Sequence, residues 1–162
     1  MPQVVQFEVT GRDSEQLQRF YGALFDWQFH DTGTAGYART LGVDSGLPGA
    51  IGPAWDGGAG QLTIYVEVAD LDLAPKRTEK LGGRVLPATP PPDRSTPVES
   101  RGKVFEVPQA GIRFGFVADP EGHVIALCRG MGTGLDAFIS ARQLQKRSAV
   151  SKSHGPVRDY WP

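Results

Sequence analysis

The sequence predicts an α+β protein built from two similar halves, and three observations carry that prediction. An alternating strand followed by an amphipathic helix opens the chain, and the same plan restarts at Gln61. Sliding the sequence by 57 residues places Gln6 on Thr63, Glu8 on Tyr65, Glu15 on Asp72, Leu17 on Ala74 and Leu24 on Leu81. Identities are few, but the apolar pattern agrees. Finally, two strand-like runs separated by the turn Asp119-Pro120-Glu121-Gly122 close the second half.

The elements follow in order. From Val4 to Val9, Val5, Phe7 and Val9 share one face, and Val4, Gln6 and Glu8 the other, as in a strand between two environments. Asp13-Ser14 is a helix-start signal, and Leu17, Phe20, Tyr21, Leu24 and Phe25 follow at helical spacing. After Asp26-Trp27-Gln28-Phe29 the chain turns glycine-rich, with short strands predicted around Tyr37 to Leu41 and near Ala50-Ile51. In the second half Leu62, Ile64, Val66 and Val68 alternate with Thr63, Tyr65 and Glu67. A helical stretch from about Asp70 to Leu81 then ends in Gly82-Gly83. Beyond Arg84-Val85-Leu86, the run Pro87 to Asp93 is too rich in proline for a regular ladder and reads as an extended loop. Strands are predicted over Ile112 to Val117 and His123 to Cys128. From Gly130 the composition changes to a short helical segment, about Leu135 to Arg147, and a polar tail ending in Tyr160-Trp161-Pro162. The division is therefore 1–57, 61–129 and a C-terminal extension over 130–162. Its five basic and two acidic residues suit a solvated, partly docked segment, or an interaction tail anchored by Tyr160-Trp161.

Composition narrows the function. With 162 residues, 40% hydrophobic and 22% charged, the chain suffices for one compact domain or two small repeats sharing a core. A net charge of -1 gives no electrostatic footprint for nucleic acid. The single cysteine, Cys128, forms no internal disulfide, and no leader-like or membrane-spanning apolar run is present. A cytoplasmic location is the expectation.

Three segments together resemble the vicinal oxygen chelate superfamily, which includes glyoxalase I, extradiol dioxygenases and bleomycin-resistance proteins. They are Val5-Gln6-Phe7-Glu8-Val9 with Arg19 to Trp27, Tyr65 to Leu71 with Leu81-Gly82-Gly83, and Ala118 to Leu127. The resemblance implies paired βαβββ units forming a cupped, open-barrel mixed sheet with helices on the outside. By period two, Gln6, Glu8, Thr63, Tyr65, Val124, Ala126 and Cys128 then face the cavity, while Phe7, Ile64, Val66, Ile125 and Leu127 pack under the helices.

Members of the superfamily that are enzymes hold a divalent metal at the first strand of each unit and near each unit's last strand. By the resemblance, three of those positions fall on Gln6, Thr63 and Ala126, and the fourth lies unplaced before Gln61. Glutamine, threonine and alanine lack the imidazole and carboxylate donors that hold zinc, nickel or iron, so no metal cofactor is expected. A displaced set of Glu8, Glu67 and His123 is the alternative; against it, the glutamates bind backbone, Arg or water, and His123 is a turn residue. Cys128 has Arg129 beside it, which would lower its pKa, but no histidine base nearby in sequence, and it reads as an inert thiol. The glycines at 57–58 and 130–134 match no phosphate-binding signature.

What remains is a lined cavity. Gln6, Glu8, Tyr37, Trp55, Thr63, Tyr65, Phe105, Arg113 and Ala126 are its candidate ligand-binding residues, since aromatic faces and a cation hold flat or anionic small molecules. The leading expectation is a metal-free binding protein for a small organic molecule, working as a homodimer. The second is a lyase or isomerase using Glu8 or Glu67 as general base. The third is a protein whose role is association through its tail.

Overall fold

The computed structural model describes residues 1–40, 46–54, 58–87, 99–101, 104–107 and 111–131. Trp55, residues 88–93 of the predicted proline-rich loop, and the predicted C-terminal helix and tail lie outside the described residues.

Strand β1 (Gln3–Gly11) leads into helix α1 (Ser14–Phe25), then β2 (His30–Thr34), β3 (Tyr37–Arg39) and β4 (Gly49–Pro53). The second half runs β5 (Leu62–Glu67), α2 (Ala74–Lys80), β6 (Arg84–Val85), β7 (Glu99–Arg101), β8 (Val104–Val107), β9 (Ile112–Ala118) and β10 (Val124–Arg129). Among the described residues all ten strands join one mixed sheet, ordered β2-β3-β4-β1-β5-β10-β9-β8-β7, with β6 on β9. The sheet curls into a cupped, open half-barrel. β1 and β5 pair antiparallel at its centre; β4 runs parallel to β1, and β10 runs parallel to β5. The free side of β9 is shared, by β8 along residues 112–114 and by β6 at 117–118.

Helix α1 starts where the sequence puts it, because the Asp13 carboxylate accepts the Gln16 N–H at 2.8 Å. It stops at Asp26, whose φ of 59° is the left-handed region. Trp27 then folds back under it. Its ring lies 5.5 Å from that of Phe7 and 4.9 Å from that of Phe25. Phe7 thus marks the helix side of β1, and the bonded partners of Gln6 and Glu8 lie on the other, concave side.

The second helix is shorter than the 70–81 stretch predicted. Asp70 Oδ1 accepts the N–H groups of Asp72 and Leu73 at 2.9 and 2.8 Å, which turns residues 71–73 before the helix proper begins with Pro75 in its first turn. Seven residues cover little of the sheet. Leu62 and Ile64 on the outer face of β5 therefore remain 69% and 39% exposed, and the expectation that Ile64 packs under a helix is corrected. Phe20, Leu24 and Phe25 of α1 are also exposed.

Candidate functional site on the concave face

Strand register supplies a counterpart for the fourth position that the resemblance implies and the sequence left unplaced. Glu8 and Tyr65 occupy equivalent places in the two halves; the parallel partner of Tyr65 is Ala126, and the parallel partner of Glu8 is Ala50. Ala50 is thus the counterpart of Ala126. By the resemblance the four positions then correspond to Gln6, Ala50, Thr63 and Ala126, all buried and none carrying carboxylate or imidazole. A divalent metal of the superfamily's usual kind does not fit that donor set.

Around these positions the first half is polar. The Tyr65 hydroxyl donates to Glu8 Oε2 at 2.7 Å, and the Tyr37 hydroxyl donates to Glu8 Oε1. Hydrogen bonds to a buried charged group are worth about 1.5–3 kcal/mol each. The Arg39 guanidinium is wholly buried, and its Nε donates to Gln6 Oε1 at 3.1 Å. Gly52 lets this arrangement form: a Cβ there would run into the Tyr37 ring, which packs against the bare backbone. Thr63 stands directly across from Glu8 on the neighbouring strand. It is 1% exposed, and among the described residues its Oγ1 has no hydrogen-bond partner. A buried hydroxyl in that condition costs about 1–3 kcal/mol.

In the second half the concave face is aromatic. Phe105 and Phe114 stack with centroids 5.0 Å apart, and Phe116 meets both edge-on at 6.0 and 5.8 Å. Tyr65 joins the two halves, its ring 6.2 Å from that of Phe114 and its hydroxyl on Glu8. Ile112, Ala126, Cys128 and Met131 complete this buried cluster.

The structure thus brings together Gln6, Glu8, Tyr37, Thr63, Tyr65, Phe105 and Ala126. Arg113 is not among them: it alternates outward from Phe114, and its guanidinium pairs with Asp72 at 3.2 Å on the convex side. Glu67 is set apart as well. It sits four residues from Thr63 along β5, about 13 Å away, and its Oε1 accepts the Gly130 N–H at 3.2 Å. There it borders a separate open groove of about 1000 Å³, with Val5, Leu73, Arg77 and Arg129. His123 is exposed in the turn before β10, held by Asp119 at 3.0 Å. The backbone N–H of His123 is the main cause that keeps the Asp119 carboxyl below its ordinary pKa. Among the described residues no three His, Cys, Asp or Glu side chains converge as a metal site.

Arg39 was missed. The signal was present, because Tyr37 and Arg39 are two apart in a predicted strand and so share a face. A lone arginine in a glycine-rich stretch reads as solvated, and only the closure of β3 on β4 buries it.

Cys128 reverses the effect expected of Arg129. Burial, with the negative charge of Glu67 next to it, pushes the thiol up to about 12. Arg129 is exposed and donates to the Ala69 carbonyl instead. A thiol pKa raised on folding contributes stability that is complete below the unfolded value near 9 and lost as pH rises from there toward 12. At pH 8 the native protein is expected to resist iodoacetamide for hours and to be labelled once within minutes in denaturant. Rapid native labelling would overturn this.

With fold and site in view, comparison with known proteins gives a consistent answer. A family model described as a glyoxalase-like domain matches residues 6–128, and the chain belongs to that family, within the vicinal oxygen chelate superfamily. Among solved structures, it is similar to a glyoxalase/bleomycin resistance protein/dioxygenase superfamily member from Vibrio splendidus 12B01, at 14% identity and a TM-score of 0.50, over 79% of this chain and 98% of that one. It is also similar to methylmalonyl-CoA epimerase from Mycobacterium tuberculosis, at 16% identity and a TM-score of 0.48, over 77% of this chain and 85% of that one. These likenesses concern the fold. A comparison with curated proteins finds no match.

Proposed function

We propose that this protein binds a small organic molecule on the concave face of its half-barrel without a divalent metal. The observation that carries the reading is the occupancy of the four metal positions by Gln6, Ala50, Thr63 and Ala126. The nearest carboxylate, Glu8, does not substitute for them, since both its oxygens accept hydrogen bonds from tyrosines. That engagement also speaks against Glu8 as a general base, and Glu67 lies in a different groove with its carboxylate on a backbone N–H. A homodimer in the cytoplasm is part of the proposal. The exposed apolar stripe of Val4, Leu62 and Ile64 on the outer face of the central strands supplies a surface for the second copy. No helix among the described residues is long and apolar enough to cross a membrane.

The test is metal analysis of untagged protein with thermal melts in nickel, zinc, iron(II), manganese and chelator, alongside sedimentation at micromolar concentration. Less than a tenth of an equivalent of metal, a melting temperature unmoved by any addition, and a dimer are expected. One bound metal per chain with a chelator-sensitive melt would overturn the metal-free reading.

A further inference from the structure

The outer face of the sheet carries an apolar valley that neither α1 nor α2 covers. Along its floor run Val4 of β1 with Leu62 and Ile64 of β5, from 39% to 69% exposed. Helix α1 forms one wall. Its Gln18 side chain donates to the Gly36 carbonyl in the turn between β2 and β3, and Gly22 faces the Phe29 ring, so that flank of the helix points toward β2 and β3. Phe20 and Leu24 stand one turn apart on the opposite flank, which therefore points toward β1 and β5 across the valley. They are 56% and 57% exposed. Together these five side chains leave on the order of 500 Å² of apolar surface open to water. A standard-size interface buries about 800 Å² per partner, a little over half of it apolar, so this one face holds the apolar share of a stable contact. It also holds both parts of such a contact: a ridge, Phe20 and Leu24, and beside it a depression, the bare floor of β1 and β5. A two-fold contact needs a surface that carries its own complement. On α1, Glu15 and Arg19 pair with each other at 3.8 Å, and a net charge of -1 gives two copies little mutual repulsion.

We propose that a second copy of this chain seats on the outer face about a two-fold axis, with Phe20 and Leu24 of each copy packing on Leu62 and Ile64 of the other. The proposal rests on the homodimer argued above and adds its interface. Because the contact uses the outer face, each concave face stays within one chain and opens away from the partner, and neither copy lends residues to the other's site.

The experiment is sedimentation velocity at micromolar concentration on wild type, Leu24→Asp, Leu62→Lys and an equimolar mixture of the two variants, with far-UV circular dichroism to check that each is folded. Both side chains are more than half exposed in the single chain, so the substitutions leave its fold intact. Wild type is expected to be a dimer. Each variant alone should dimerise with a Kd at least about 100-fold higher, because every such dimer buries two uncompensated charges. In the mixture, one of the two reciprocal contacts brings the introduced carboxylate to the introduced ammonium and the other keeps the original leucines, so the dimer should return. Should a variant fail to fold, Leu24→Ser or Leu62→Ser replaces it and is expected to raise the Kd roughly tenfold. Variants that dimerise as wild type does overturn this interface and leave the homodimer to another face. Monomeric variants whose mixture stays monomeric overturn the reciprocal packing of Leu24 on Leu62. A monomeric wild type overturns the homodimer and this inference together, and slow maleimide labelling of Leu62→Cys in that monomer would assign the cover to residues 132–162 of the same chain.

Discussion

Replacing Glu8 with alanine is expected to destabilise the protein by about 3–5 kcal/mol, the range seen when one member of a buried charged network is removed. The Tyr65 and Tyr37 hydroxyls would lose their acceptor at once, and Glu8 itself is only 2% exposed, so water does not readily replace it. Glu8→Gln keeps one acceptor oxygen and the shape, and should cost roughly 1–2 kcal/mol. Denaturant unfolding monitored by tryptophan fluorescence reads both values. A loss below about 1 kcal/mol for Glu8→Ala would mean that the tyrosine clamp is not what holds the concave face together.

The second large effect is expected at Gly52. A methyl group there meets the Tyr37 ring, so Gly52→Ala should cost about 1–3 kcal/mol through overpacking and push the Tyr37 hydroxyl off Glu8. The distinguishing measurement is a double-mutant cycle with Tyr37→Phe. If Gly52→Ala already breaks the Tyr37 to Glu8 bond, adding Tyr37→Phe costs almost nothing further, and the pair couples by about 1 kcal/mol or more. Strictly additive losses would show that Gly52 supports the strand without positioning Tyr37.

Legibility in the sequence tracked how local each feature is. β1, α1, β5, β9 and β10 announce themselves through period and through caps such as Asp13, and their observed bounds lie within about two residues of those predicted. The strands β2, β7 and β8 did not. His30-Asp31-Thr32-Gly33-Thr34 and Glu99-Ser100-Arg101 carry no alternation, and they are strands because a neighbouring edge offers them partners. α2 came out shorter because Asp70 captures two N–H groups locally, a competition that apolar spacing does not reveal.

The candidate site divides the same way. Period two put Gln6 with Glu8 and Thr63 with Tyr65 on shared strand faces, the resemblance turned those faces and Ala126 toward one cavity, and the residue types at the three positions it matched argued that they are poor metal ligands. Those conclusions need period two, donor chemistry and the resemblance, and no contact between distant strands. Tertiary structure decided what depends on which strands meet. The pairing of β1 with β4 identified Ala50, that of β3 with β4 buried Arg39 and aimed Tyr37 at Glu8, and the outward turn of β9 gave Arg113 to Asp72. Contacts between residues tens of positions apart are set by sheet register and curl, and no local pattern in the chain encodes the distance between them.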